Sequence, residues 1–140
     1  MRRTRPLADR IVRCRKCPRL VAHCREIART KRRAYRDEEY WGRPVPTFGA
    51  VDPRLFVLGL APGAHGANRT GRVFTGDASG EWLWRALFEA GFASRPESIG
   101  PGDGLELFDA AVGCALWVAG VPEPEQAAWR AFSAELGVLF

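Results

Sequence analysis

No apolar run in this 140-residue chain is long enough to cross a bilayer as a helix. The basic start, MRRTRPLADR, lacks the apolar stretch that would follow it in a secretory signal. No contact with a membrane is expected, and a cytoplasmic location is. There is no internal repeat and no low-complexity tract, and 46% apolar content is enough for one domain with a real core. No Gly-Lys-Ser/Thr follows a glycine-rich loop, which excludes a Walker phosphate loop, and no G-x-G-x-x-G occurs, which excludes a dinucleotide fingerprint. Histidine is nearly missing: His23 and His65 are the only two.

Acidic residues are scarce at the amino-terminal end. Of 21 Lys and Arg, 14 lie within residues 1–36, against Asp9 and Glu26 alone, so this segment carries +12 and the remainder −7. Such a concentration is the footprint of a polyanion binder, most often a nucleic acid, although a solvated basic helix has the same composition. Cys14 and Cys17 form a C-x-x-C at the head of a helical pattern, with Leu20, Val21, Cys24, Ile27 and Ala28 on one face. A C-x-x-C in a reducing compartment serves metal or redox chemistry more often than a structural disulfide, and the neighbouring cations favour thiolate. Cys24 stands seven residues past Cys17, about 10 Å along a helix, and is expected to be a small core residue.

The middle of the chain organises the rest. Leu55 to Leu60 reads as a buried parallel strand, GLAPGAHGANRTGRVFTGDASG (59–80) as a glycine-rich loop, and EWLWRALFEAG as a helix with Ser79 as N-cap and Gly91 at C′. This helix is apolar nearly all round, so cover on more than one side is expected. Strand, loop and helix in that order place a ligand at the carboxyl end of a sheet. Residues 34–54, interrupted by Pro44, Pro46 and Pro53, read as a loop pinned by Tyr40, Trp41 and Phe48. LELFDAAVGCALWV reads as a second strand ending near Cys114, and EPEQAAWRAFSAEL as a last helix.

The stretch GLAPGAHGANRTGRVFTGDASG resembles the first active-site motif of the family 5 (type b) uracil-DNA glycosylases. The resemblance continues upstream through CRKCPRL and KRRAYRDEEYWGRPVPTFG, and downstream to LWRALFEAGFAS and DGLEL. It implies a three-layer α/β/α sandwich with a parallel central sheet. It also implies a monomeric hydrolase that removes uracil, or another deaminated base, from DNA in base-excision repair. By resemblance, Asp77 is the catalytic carboxylate, orienting a water and stabilising the sugar cation; its alternative role is helix N-capping. Phe74 would stack on the flipped base, or else anchor the core. Backbone N–H groups around Gly63, Ala64 and Gly66 would donate to uracil oxygens. His65 would donate to base or phosphate, or bond to backbone; Asn68 would read a base edge, or hold a turn. Arg69, Thr70 and Arg72, with Arg32 and Arg33, suit phosphate contacts.

Family members carry a 4Fe–4S cluster held by four cysteines, and Cys14, Cys17 and Cys114 match the first three. The fourth would lie about fifteen residues beyond Cys114, where Trp129 stands. Gly113 and Ala115-Leu116-Trp117 replace the family's Arg before that cysteine and prolines after it. The family's second motif, a His-Pro-Ser type loop, is absent. The expectation is therefore a single domain over 1–140, truncated at its carboxyl end, with a basic cluster-binding segment at 1–36 and an incomplete α/β core at 55–140. A catalytically inactive remnant that binds DNA non-specifically is the competing reading, and a redox module built on the C-x-x-C is a third.

Overall fold

The computed structural model describes residues 7–116. Five β-prone or apolar residues in a row, Leu55–Gly59, form strand β2, and β3 is Ala110–Cys114. A two-residue strand, β1 (Phe48–Gly49), precedes them in the chain. The sheet order is β1-β3-β2. β2 and β3 run parallel, from Leu55 opposite Ala110 to Gly59 opposite Cys114, while β1 pairs antiparallel with β3 at Phe48–Val112 and Gly49–Ala111. The expected α/β class holds, but the described sheet is mixed rather than parallel. Ala115 and Leu116 extend the parallel ladder through bonds of 2.9 Å to the carbonyls of Gly59 and Leu60.

Every residue of β3 is buried, as a central strand with both faces covered requires, whereas β2 alternates and leaves Phe56 and Leu58 exposed. The strand expected from Leu105 onwards starts only at Ala110. Asp109 has a positive φ of 54°, a conformation Asp tolerates, and its side chain is tied to Arg54 at the entrance to β2.

The parallel crossover between β2 and β3 passes through two helices, α3 (Ala67–Thr70) and α4 (Ala78–Glu89). α4 turns Gly80, Trp84 and Leu87 inward, where Trp84 and Leu87 join Val45, Val73, Val112 and Cys114 in the main core. Burying Leu- or Trp-sized side chains contributes roughly 2–3 kcal/mol each. Only one face is covered among the described residues: Trp82 is 76% exposed and Phe88 44%, against the all-round burial expected. The N-cap is Asp77, not Ser79, so the helix begins three residues before Glu81. Gly91, with φ +81°, follows the C-cap as expected.

Two helices occupy the basic segment. α1 (Leu7–Val12), which the sequence patterning missed, is anchored by the fully buried Ile11. α2 (Pro18–Thr30) starts with proline at a position where its missing N–H costs nothing, and packs Leu20, Val21 and Cys24 inward. Cys24 is the core residue expected, its thiol donating to the carbonyl of Val21. Tyr40 is buried and Phe48 meets Trp84 edge-on at 6.2 Å, so the loop's aromatics pin it as read. The last helix expected, and Trp129, lie outside the described residues.

Candidate functional site

The turn from β2 into α3 brings Gly63, Ala64, His65 and Gly66 against the segment Gly76 to Ala78, with Arg32 and Tyr35 closing the rim of a cleft of about 390 Å³. Tyr35, Gly76, Asp77 and Ala78 also line a second cavity of about 420 Å³, whose wall includes Phe74 and Trp84. Asp77 therefore stands between two open spaces, at the carboxyl end of β2.

The two oxygens of Asp77 do different things. Oδ1 accepts from the Ser79 hydroxyl at 2.6 Å and from the Gly80 N–H at 3.4 Å, which caps α4. Oδ2 has no donor among the described residues and lies over Gly63 and Gly66. A Cβ on either glycine would come within 2.7 Å and 2.3 Å of it. The glycines are needed here for close approach. The carboxylate is thus held rigidly by one oxygen and offers the other. None of the N–H groups of residues 63–66 has an acceptor among the described residues, so the same cleft carries free backbone donors.

Phe74 has φ +51°, a strained backbone for an aromatic residue. The Trp84 indole N–H donates to its carbonyl at 2.6 Å, and Gly80 lets that carbonyl approach α4. The half-buried ring rests on Gly59, where an added Cβ would meet it at 2.7 Å. His65 sits at the cleft with Nδ1 2.9 Å from the Tyr40 hydroxyl. The same oxygen accepts the Arg32 backbone N–H at 3.4 Å. Burial first, then Arg32 and Arg69, push the His65 pKa below the ordinary imidazole value, which keeps the ring neutral.

Other residues named from the sequence are engaged elsewhere. Asn68 is fully buried beneath the cleft, its amide donating to the carbonyl of Cys24 at 3.2 Å, so it fastens α3 to α2. Arg72 is 5% exposed. Its guanidinium binds both Asp103 oxygens at 2.9 Å and Ser98 at 3.0 Å, and lies 4.3 Å over the Phe48 ring, which withdraws it from a phosphate. Thr70 bonds to the carbonyl of Thr75. Arg69 pairs with Glu38 at 2.6 Å, bonds the carbonyls of His65 and Gly76, and stacks on Tyr35. Arg32 and Arg33 are exposed, and Arg32 reaches the cleft. Tyr35 and Tyr40 were not picked out as cleft residues. Tyr40 lies 25 positions from the histidine it orients, and no short-range pattern marks such a pair.

Cys14 and Cys17 face an apolar cavity of about 150 Å³ walled by Leu20, Val21, Pro44, Ala115 and Leu116. Cys114 does not join them: it is 6% exposed, packed in the core with Trp84 and Val112 and beside the Phe74 ring. Burial, reinforced by Asp77, pushes its thiol up to about 12, so it keeps its proton. Among the described residues no three His, Cys, Asp or Glu side chains converge as a metal site. The residues present do not fit a four-thiolate cluster, because the chain's one further cysteine, Cys24, is fully buried in the α2 core with its thiol on the Val21 carbonyl.

A family model described as "Uracil DNA glycosylase superfamily" matches residues 46–136. The chain is 54% identical over 132 residues to a type-5 uracil-DNA glycosylase of Thermus thermophilus, covering 90% of this chain and 59% of the relative. It is 60% identical over 92 residues to one of Mycobacterium tuberculosis (66% and 34%) and 50% identical over 99 residues to one of Pyrobaculum aerophilum (71% and 43%). The chain thus spans between about a third and three fifths of the length of these curated relatives.

Proposed function

Because the chain belongs to the uracil-DNA glycosylase superfamily, we propose that it hydrolyses the N-glycosidic bond of uracil, or another deaminated base, in DNA, acting as a cytoplasmic monomer in base-excision repair. The observation that carries this reading is the divided Asp77 carboxylate, with Oδ1 fixed to α4 and Oδ2 open over a glycine floor. Glycosidic cleavage develops positive charge on the sugar and negative charge on the departing base. It requires a carboxylate for the first and hydrogen-bond donors for the second.

In this reading the everted nucleotide enters between the 63–66 turn and Asp77. Oδ2 accepts a proton from the water that attacks C1′, the C1′–N bond breaks, and the base leaves with the bonding pair. Free N–H groups at 63–66 receive the charge that collects on its oxygens, with the neutral His65 ring beside them. Phe74 offers a ring face at the adjoining cavity. Family members use an iron–sulfur cluster as scaffolding, but no step here passes through it.

The test is excision from a uracil-containing oligonucleotide, read as strand cleavage after alkali. Asp77→Asn keeps a good N-cap yet loses the carboxylate, so excision should fall about 10²-fold or more while the melting temperature holds. Equal binding of uracil-containing and ordinary DNA with no excision would overturn the enzymatic reading and leave non-specific DNA binding.

A further inference from the structure

A broad groove of about 630 Å³ shares α3 with the Asp77 cleft. Gly66, the α3 N-cap, belongs to the cleft lining, and Arg69 and Thr70 at its end belong to the groove lining. Three further arginines converge on the groove from separate elements: Arg15 beyond α1, Arg25 on α2 and Arg43 in the loop before β1. Glu39 is the sole carboxylate of the lining.

These three cations differ from the paired arginines, Arg69 of the same groove among them, in one respect. Arg29, Arg54, Arg69 and Arg72 each hold a carboxylate: Glu26, Asp109, Glu38 and Asp103. Arg15, Arg25 and Arg43 have none within ion-pair distance among the described residues. Two of them are nevertheless held in place. The Arg43 guanidinium lies 3.9 Å above the Trp41 ring. Trp41 is fixed in turn by its indole bond to the Pro44 carbonyl (3.1 Å), by its backbone N–H on Arg69 (3.0 Å), and by Gly71 pressed against its ring. Arg15 bonds the carbonyls of Cys14 and Val12 at 2.9 Å and 3.4 Å through one terminal nitrogen, which leaves the rest of its fork open. Positioned cations without internal counter-charge, set in a concave surface, are built for an anion from outside. A stacked guanidinium matches the two oxygens of a phosphodiester.

We propose that the Arg15–Arg25–Arg43 groove is a second DNA-contacting surface, holding the phosphodiester backbone that flanks the nucleotide in the Asp77 cleft. The contact positions the strand and reads no base. This rests on the proposed function only in taking DNA as the partner.

The test is the affinity for a uracil-free duplex, measured by fluorescence anisotropy over a salt series. Arg25→Gln combined with Arg43→Gln keeps side-chain stems for packing and removes two charges. Two lost phosphate contacts should flatten the slope of log K against log[salt] by about 1.8, and weaken binding about tenfold or more at low salt. The Arg25→Lys, Arg43→Lys pair should keep the wild-type slope. An unaltered slope and affinity in the Gln pair would overturn the groove. If the wild type excises uracil while the Gln pair binds normally, the groove fails and the enzymatic reading stands. If the slope flattens but the wild type excises nothing, the groove stands and the enzymatic reading fails.

Discussion

At the scale of single residues, the cleft depends on what holds each polar atom. Asp77→Ala removes a cap as well as a catalyst and should cost about 1 kcal/mol in stability, whereas Asp77→Asn should cost little, so paired melting and excision measurements separate the roles. His65 is lowered chiefly by burial, so its neutral form persists below the ordinary value near 6.5 and excision should hold until the pH falls past it. Tyr40→Phe takes away the hydroxyl bonded to Nδ1, the contact that holds the ring. The acid limb of kcat/KM against pH should then move, and an unmoved limb would deny His65 its part. The sequence marked Asp77, Phe74 and His65 because one contiguous motif contains them. It could not tell Arg72 from Arg32, since the partner that takes Arg72 out of solvent, Asp103, is 31 positions away.

At the scale of elements, the glycines of the central turn decide where the carboxylate stands. Gly66→Ala would bring a Cβ within 2.3 Å of Oδ2 and 2.9 Å of Cγ, the movable end of a side chain. Stability should fall by about 1 kcal/mol, the cost of the lost cap, while excision drops as far as in Asp77→Asn, because the carboxylate swings aside. Gly80→Ala is the contrasting case. Its Cβ would meet the Phe74 carbonyl at 2.0 Å, a backbone atom that cannot yield, so α4 should undock at a cost of about 1–3 kcal/mol or more, seen in urea unfolding. β2, α2 and α4 were legible because periodicity and length carry them. α3 was hidden in a glycine-rich stretch, being a single turn of Ala67–Thr70 with no apolar period to find. The start of β3 was misplaced because the left-handed turn at Asp109 depends on Arg54, a partner outside any local window.

At the scale of the whole molecule, one buried ion pair links the central motif to the turns before β3. Arg72 and Asp103 are 5% and 8% exposed. Burial by itself would raise the Asp103 pKa. The N–H groups of Leu105 and Ile99, the Arg72 guanidinium and the Gly100 N–H outweigh it and hold the carboxylate far below its usual range. A depressed folded value means stability that is complete above the unfolded value near 3.9 and lost as the pH falls towards the folded one. Asp103→Asn should therefore lower stability at pH 7 by about 3–5 kcal/mol, leaving Arg72 buried and unpaired, and should flatten the acid limb of the unfolding curve. The lopsided charge of the chain was plain from composition. The groove that gathers three of its arginines was not, because it needs α1, α2 and the loop before β1 brought together.

Cys24 and Cys114 are buried, while Cys17 is open to solvent and Cys14 is half open. A thiol reagent added to the native protein will find two sulfurs at once, and the two buried ones only when the packing around them opens. The slow phase of that labelling is a stopwatch on how often the interior breathes.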